Sequence, residues 1–174
     1  MTDDNAAFRR ELVSLLPRLR RFAMALAGAR DVAEDLLQSA VEKALRNWNS
    51  FERGRRLDSW VFKIMQNLWL DMRRSAAHGP VFTDQPLEGI GEDGRDVIAA
   101  RQELGVVRTA FAELPDDQRA VMALVVLEGF TYGEAARALD VPVGTVMSRL
   151  ARARAAIAMR VRGEGVLGPV REKS

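Results

Sequence analysis

Two groups of residues in this chain have types and spacings suited to chemistry on a polyanion. The first runs through Trp48, Asn49, Phe51, Arg53, Arg55 and Arg56, then along a helical pattern through Ser59, Lys63, Gln66, Asn67, Arg73 and Arg74. Cations interleaved with aromatics and amides suit single-stranded nucleic acid, where flipped bases stack and phosphates need positive charge. The aromatics Trp48, Trp60, Phe62 and Trp69 fit a hydrophobic core equally well, and the residues alone leave both readings open. The second group is Thr145, Ser148, Arg149, Arg152 and Arg154, on a segment from Val143 to Gly163 that carries five arginines and no acid. There are no paired carboxylates, no nucleophile beside a base, no phosphate loop and no metal cluster. His78 stands alone next to Gly79-Pro80, and Cys is absent. The expectation is a binding protein with no enzymatic activity and no cofactor or metal.

Those groups need helices to present them. At about 100° per residue, Val146, Leu150, Ala153 and Ile157 fall on one face of the last helix. Ser148, Ala151, Arg152 and Ala155 lie opposite, with Arg149 and Arg154 on the flanks. Small central residues let a helix sit deep in a major groove while arginines reach base edges and phosphates. Upstream, Thr131-Tyr-Gly-Glu134 has the form of a capping box, opening a short helix to about Leu139. The turn Asp140-Val-Pro142 follows, with Pro142 placed for a first helical turn. Helix, tight turn, helix is the outline of a helix-turn-helix. Before it, helices are expected from about Val97 to Glu113 and from Asp116 to Glu128.

In the N-terminal half, Phe8, Leu12, Leu15, Leu19, Phe22 and Leu26 mark a helix from Phe8 to Leu26. A second runs from near Asp31 to Trp48, with Asp31, Glu34 and Asp35 where the helix dipole favours carboxylates. After the basic loop Asn49–Arg56 comes a third helix from Leu57 to Arg74. Its core side is expected to be Leu57, Val61, Ile64, Leu68 and Met72, with Phe62 and Trp69 along one edge.

Between the halves, His78 to Asp96 is rich in glycine and proline and lacks apolar periodicity. Residues 76–100 carry Arg95 against Asp84, Glu88, Glu92, Asp93 and Asp96. The fold expected is all-α, two small helical domains at 1–75 and 101–162 joined by a flexible acidic linker at 76–100, with a disordered tail at 163–174. The 174 residues are 48% hydrophobic and 29% charged, a folded composition, and the net charge is only +2. The acidic, polar start Met1-Thr-Asp-Asp-Asn5 lacks the pattern of a secretory signal. The longest apolar run, Ala120 to Leu127, falls far short of the roughly 20 residues that span a bilayer. A cytoplasmic protein without direct membrane insertion is expected.

The runs Asp31-Val-Ala-Glu-Asp-Leu-Leu-Gln38, Ala44-Leu-Arg-Asn-Trp48 and Leu57 to Arg74 resemble region two of extracytoplasmic-function sigma factors. Leu114-Pro-Asp-Asp-Gln-Arg119, Glu128-Gly-Phe-Thr-Tyr-Gly-Glu-Ala-Ala136 and Val141 to Arg154 resemble region four of the same family, in the right order. The resemblance implies a factor that binds core RNA polymerase and directs it to promoter DNA. It implies that Asp35, Leu36, Gln38 and Glu42 dock on the polymerase. Asn49, Phe51, Arg53 and Arg55 would capture an extruded non-template base, and Lys63, Asn67, Arg73 and Arg74 would hold the backbone of the downstream element. Thr145, Ser148, Arg149, Arg152 and Arg154 would engage the upstream element as duplex. It further implies control by an anti-sigma factor in a stress or signal response, the chain being a monomer or a heterodimer with that factor. One residue departs from the pattern: Met147 stands where family members often carry Lys or Arg. Two alternatives are a stand-alone helix-turn-helix regulator, which would dimerise on a palindrome, and a sigma mimic that titrates an anti-sigma factor.

Overall fold

The computed structural model describes residues 3–75 and 104–163, and among them every regular element is helical. The expected linker, His78 and the tail beyond Gly163 lie outside the described residues. The helices are α1 (Asp3–Ala27), α2 (Arg30–Arg46), α3 (Leu57–Ser75), α4 (described over residues 104–112), α5 (Asp116–Met122), α6 (Tyr132–Leu139) and α7 (Val143–Gly163).

The N-terminal unit is a three-helix packing of α1, α2 and α3. Its core takes Phe8, Leu12, Leu19, Phe22 and Leu26 from α1, and Ala33, Leu36, Leu37, Ala40 and Ala44 from α2. α1 begins well before Phe8 and continues through Pro17. α2 stops at Arg46 rather than Trp48. Asn47 closes it by donating its backbone N–H and side-chain amide to the Lys43 carbonyl, and a 3-10 turn covers Trp48–Ser50.

On α3 the buried set is Leu57, Asp58, Val61, Phe62, Met65, Gln66 and Trp69. This corrects the expected stripe, since Ile64, Leu68 and Met72 are only half-buried while Phe62 and Trp69 are core. Gln66, expected outside, is buried too. The cause is tertiary. α3 packs on α1 and α2 with one face and on α6 with another. A helix covered on two sides buries a wider arc than an amphipathic surface helix does.

In the C-terminal unit, α5 and α6 both pack on α7. The helix expected to run from Asp116 to Glu128 changes character at Met122. Residues Ala123–Leu127 form a π turn, closed by Glu128 N–H donating to the Ala123 carbonyl at 3.0 Å. Gly129 then takes φ 70°, the left-handed region that suits glycine. Phe130 N–H returns to the Leu124 carbonyl at 2.9 Å, turning the Phe130 ring inward. The capping box is present in full. The Thr131 hydroxyl accepts from Glu134 N–H, and the Glu134 carboxylate accepts from Thr131 N–H. α6 ends on Asp140 in the left-handed conformation, and the Pro142 carbonyl accepts from Thr145 and Val146 to open α7.

Replacing Thr131 by alanine removes the cap of an eight-residue helix that holds the turn before α7. A loss of about 1 kcal/mol in unfolding free energy is expected, read as a lower urea midpoint with unchanged slope. An unchanged midpoint would show that packing alone sets α6.

Candidate nucleic-acid interface

Four aromatic rings converge behind the loop that follows α2. Phe8 lies 5.9 Å from Phe51, 6.2 Å from Trp60 and 6.5 Å from Trp48, and Phe51 lies 5.5 Å from Trp60. Phe51 and Trp60 stay half-buried and open onto a cleft of about 510 Å³, lined also by Arg55, Arg56, Lys63 and Arg137. Of the aromatics left open by the residues alone, Phe62 and Trp69 are core and Trp48 and Trp60 are half-buried, while Phe51 and Trp60 each pack on one side and face a cationic cleft on the other. Such a cleft can stack a base and hold its phosphate.

The cations of this surface are already engaged. Lys63 Nζ is 3.3 Å from Asp140 Oδ2, and Arg73 Nε donates to Asp116 Oδ2 at 2.8 Å. Arg73 also lies over the Trp69 ring at 5.8 Å. Arg74 pairs with Asp71 in its own helix, Arg55 with Glu52, and Arg53 with Asp4. Asn49 and Asn67 are exposed. Asp140 and Asp116 belong to the C-terminal unit, so that unit covers part of the surface.

Behind this surface sits a denser ion-pair cluster that composition could not announce. Arg18 of α1 donates to Asp58 Oδ2 at 2.9 Å and to Glu128 Oε2 at 2.8 Å. Arg21 reaches the same Glu128, whose side chain is fully buried. Arg56 donates to both Asp58 oxygens and pairs with Glu134. Phe130 packs 5.5 Å from Phe62, with the Arg56 guanidinium 4.9 Å and the Arg18 guanidinium 5.9 Å from its ring.

Burial by itself would push the Asp58 carboxyl up. The hydrogen bonds from Arg56, Arg18 and Ser59 N–H outweigh it and hold the group below its ordinary 3.8. The backbone and hydroxyl of Thr131, helped by Arg56, hold the Glu134 carboxyl below 4.5. For Arg119, the buried arginine of α5, desolvation depresses the guanidinium, opposed by Asp116.

On α7, Ser148, Arg152 and Arg154 are exposed and Thr145 is half-buried. Arg149 is drawn inward to Asp117 at 2.9 Å, leaving only 24% of its side chain exposed. The Ser148 hydroxyl donates to the Thr145 carbonyl at 3.1 Å, and Arg152 Nε donates to the Ser148 carbonyl at 3.3 Å.

On α2, Asp35, Gln38 and Glu42 share one exposed face, and Gln38 Nε2 donates to Glu42 Oε1 at 3.1 Å. Leu36 does not belong with them. It is 0% exposed in the core, because it points along the face that packs on the other two helices. Arg18, Arg137 and Glu128 were missing from the expected sites. No local signal marks them: Arg18 and Glu128 meet only across the two halves of the chain, and Arg137 reaches the cleft only because α6 packs on α3. Among the described residues no cluster of His, Cys, Asp or Glu could hold a metal, and no helix is long and apolar enough to cross a membrane.

Comparison with known proteins gives this geometry a family. Residues 12–78 match the model of sigma-70 region 2, and residues 104–157 match that of sigma-70, region 4. The chain is 33% identical to the ECF RNA polymerase sigma factor EcfG of Rhodopseudomonas palustris (strain TIE-1), covering 94% of this chain and 91% of that one. It is 36% identical to the ECF RNA polymerase sigma factor SigM of Mycobacterium tuberculosis over 142 residues, 81% of this chain and 70% of that one. Among solved structures, it is similar to the sigma factor RpoE of Bartonella quintana in complex with the anti-sigma factor NepR. There the TM-score is 0.75 and the identity 30%, over 90% of this chain and 97% of that one. The chain belongs to the extracytoplasmic-function sigma factors of the sigma-70 family. The three helices of the N-terminal unit are region two, and α4–α7 are region four.

Two carboxylates at the junction carry lowered pKa values: Asp58, held by Arg56 and Arg18 within region two, and Glu134, held by Thr131 with help from Arg56 across the junction. Their contribution is thus fully present above the ordinary carboxylate range and is lost as the pH falls through the lowered values. The Arg56 contacts to Asp58 and, across the junction, to Glu134 should therefore hold at neutral pH and loosen only on acidification below the ordinary carboxylate range. Small-angle scattering checks this through the radius of gyration, and expansion already at pH 6 would contradict it.

Proposed function

We propose that this chain is an alternative sigma factor whose α3 surface opens the downstream promoter element and whose α7 reads the upstream one. In this reading Asp35, Gln38 and Glu42 dock on the polymerase. Phe51, Trp60 and Arg55 of the cleft, with Asn49 and Arg53 of the adjoining loop, capture a base of the non-template strand. Lys63, Asn67, Arg73 and Arg74 hold the adjoining backbone. Extruding a base costs a few kcal/mol, and a cleft that stacks and grips it offsets that cost without a nucleotide cofactor. The factor works in the cytoplasm and has no catalytic role of its own.

The observation that carries the reading is the aromatic cleft ringed by Arg55, Arg56 and Lys63 on the same helix-and-loop surface. A second observation favours regulation by closure. Lys63 and Arg73 face Asp140 and Asp116, so the closed chain holds its own carboxylates where phosphates would lie. An anti-sigma factor that stabilises this closed form would keep the factor off both promoter and polymerase. The similarity to an RpoE structure solved with NepR supports that kind of partner.

Run-off transcription with purified core polymerase on genomic fragments of the host tests the reading. New start sites that depend on the chain are the expected result. A tight polymerase complex without initiation would favour the sigma-mimic alternative. Asp35→Ala with Gln38→Ala should weaken polymerase binding by about 1 kcal/mol or more per side chain and leave the fold intact. Arg152→Ala should cost about 1–3 kcal/mol at the upstream element with polymerase affinity unchanged. A loss of polymerase affinity on Arg152→Ala would move α7 from the DNA to the protein interface.

A further inference from the structure

The exposed arc of α7 has a small-residue centre, with Gly144, Ala151 and Ala155 falling within about 40° of one another at 100° per residue. Around that centre stand Ser148 and Arg152 on one side, and Met147 with Arg154 on the other. The polar side chains of the arc are partly committed to their own helix or to α5. Ser148 bonds back to Thr145, Arg152 reaches the Ser148 carbonyl, and Arg149 is held by Asp117. Met147 points outward with 53% of its surface exposed, one turn beyond Val143, itself 44% exposed. The two form an apolar strip beside the deepest part of the helix. Met159 is more exposed still at 75%, but it lies twelve residues further on. That is about 18 Å along the axis, past the N-terminal turns with which a recognition helix meets base edges.

A thioether neither donates a hydrogen bond nor carries charge, so Met147 cannot read a guanine edge or grip a phosphate. It can pack against an apolar surface, and it adapts its shape to do so. The major groove offers such a surface at the thymine 5-methyl group. We propose that Met147 determines sequence preference by packing on a thymine methyl in the upstream element. This inference rests on the assignment of α7 to that element. It turns the departure at Met147 into a gain of methyl recognition in place of a cationic contact.

The test uses holoenzyme, assembled from core polymerase and the full chain, on a promoter mapped by run-off transcription. Each thymine of the upstream element is replaced in turn by deoxyuridine, which pairs identically but lacks the methyl. The wild-type holoenzyme should lose about fourfold in affinity at one thymine, the value of one buried methyl-sized group. M147A should bind the thymine duplex more weakly by a similar factor and no longer distinguish thymine from deoxyuridine at that position. M147K should also lose the distinction while gaining salt dependence. A wild-type protein indifferent to every replacement, or an M147A variant that keeps the full penalty, would overturn the proposal. Arg152→Ala and Ser148→Ala in the same assay separate the two levels. If both leave upstream binding unchanged, the assignment of α7 fails. If they weaken it while the deoxyuridine series stays flat, only the role of Met147 fails.

Discussion

The closed form of this molecule depends on where Arg18 can put its charge. Its guanidinium lies between Asp58 of region two and Glu128 of region four, 5.8 Å from the Phe62 ring and 5.9 Å from the Phe130 ring. With only 29% of the side chain exposed, it must have carboxylate partners, because a cation leaving water without them is costly. Glu128 reaches it because the π turn and Gly129 end α5 with Glu128 directed at α1 and Phe130 directed at α3. Irregular helical turns of this kind concentrate at functional sites, and here the turn sets how region four meets region two.

A junction made from ion pairs differs in kind from an apolar core. Taking charges out of water offsets much of what their attraction contributes, so such pairs specify geometry better than they add stability. Polar interfaces between domains of one chain ordinarily permit relative motion, and exposed members such as Lys63 with Asp140 weaken as salt screens them. Two of the cations that close the molecule, Lys63 and Arg73, are among those proposed above to hold the promoter backbone. Phosphates can take the place of Asp116 and Asp140 at Arg73 and Lys63 without leaving either cation bare. Under that proposal, opening is an exchange of anions at those two pairs, while the contacts of Arg18 and Arg21 with Glu128 must be broken.

Much of this was legible in the sequence, and the failures share one cause. The capping box at Thr131 and Glu134 and the helix-turn-helix spacing follow from local rules of capping and periodicity, whereas the exposed Asp35, Gln38 and Glu42 face came from the family resemblance. The junction does not, because Arg18 and Glu128 are far apart in the chain, and the run that Glu128 opens says nothing of a partner on α1. The wide buried arc of α3 was missed for the same reason. Periodicity describes a helix with one covered face, and α3 has two. Leu36 was placed on the docking surface by position within a motif, whereas its neighbours on the wheel send it into the core. Arg149 lies at the flank where its position puts it, but a partner on α5 turns it inward.

The most direct measurement is the separation of the two regions in the free chain and in the initiation complex. The chain has no cysteine, so Ser14→Cys in α1 and Thr109→Cys in α4, both exposed, allow two dyes to be placed without further change. Efficient energy transfer in the free protein, lost on addition of core polymerase and promoter and lost also in Glu128→Ala alone, is the expected result. Equal transfer in the free and promoter-bound states would contradict closure through Arg18 and Glu128 as the state that gives way to DNA.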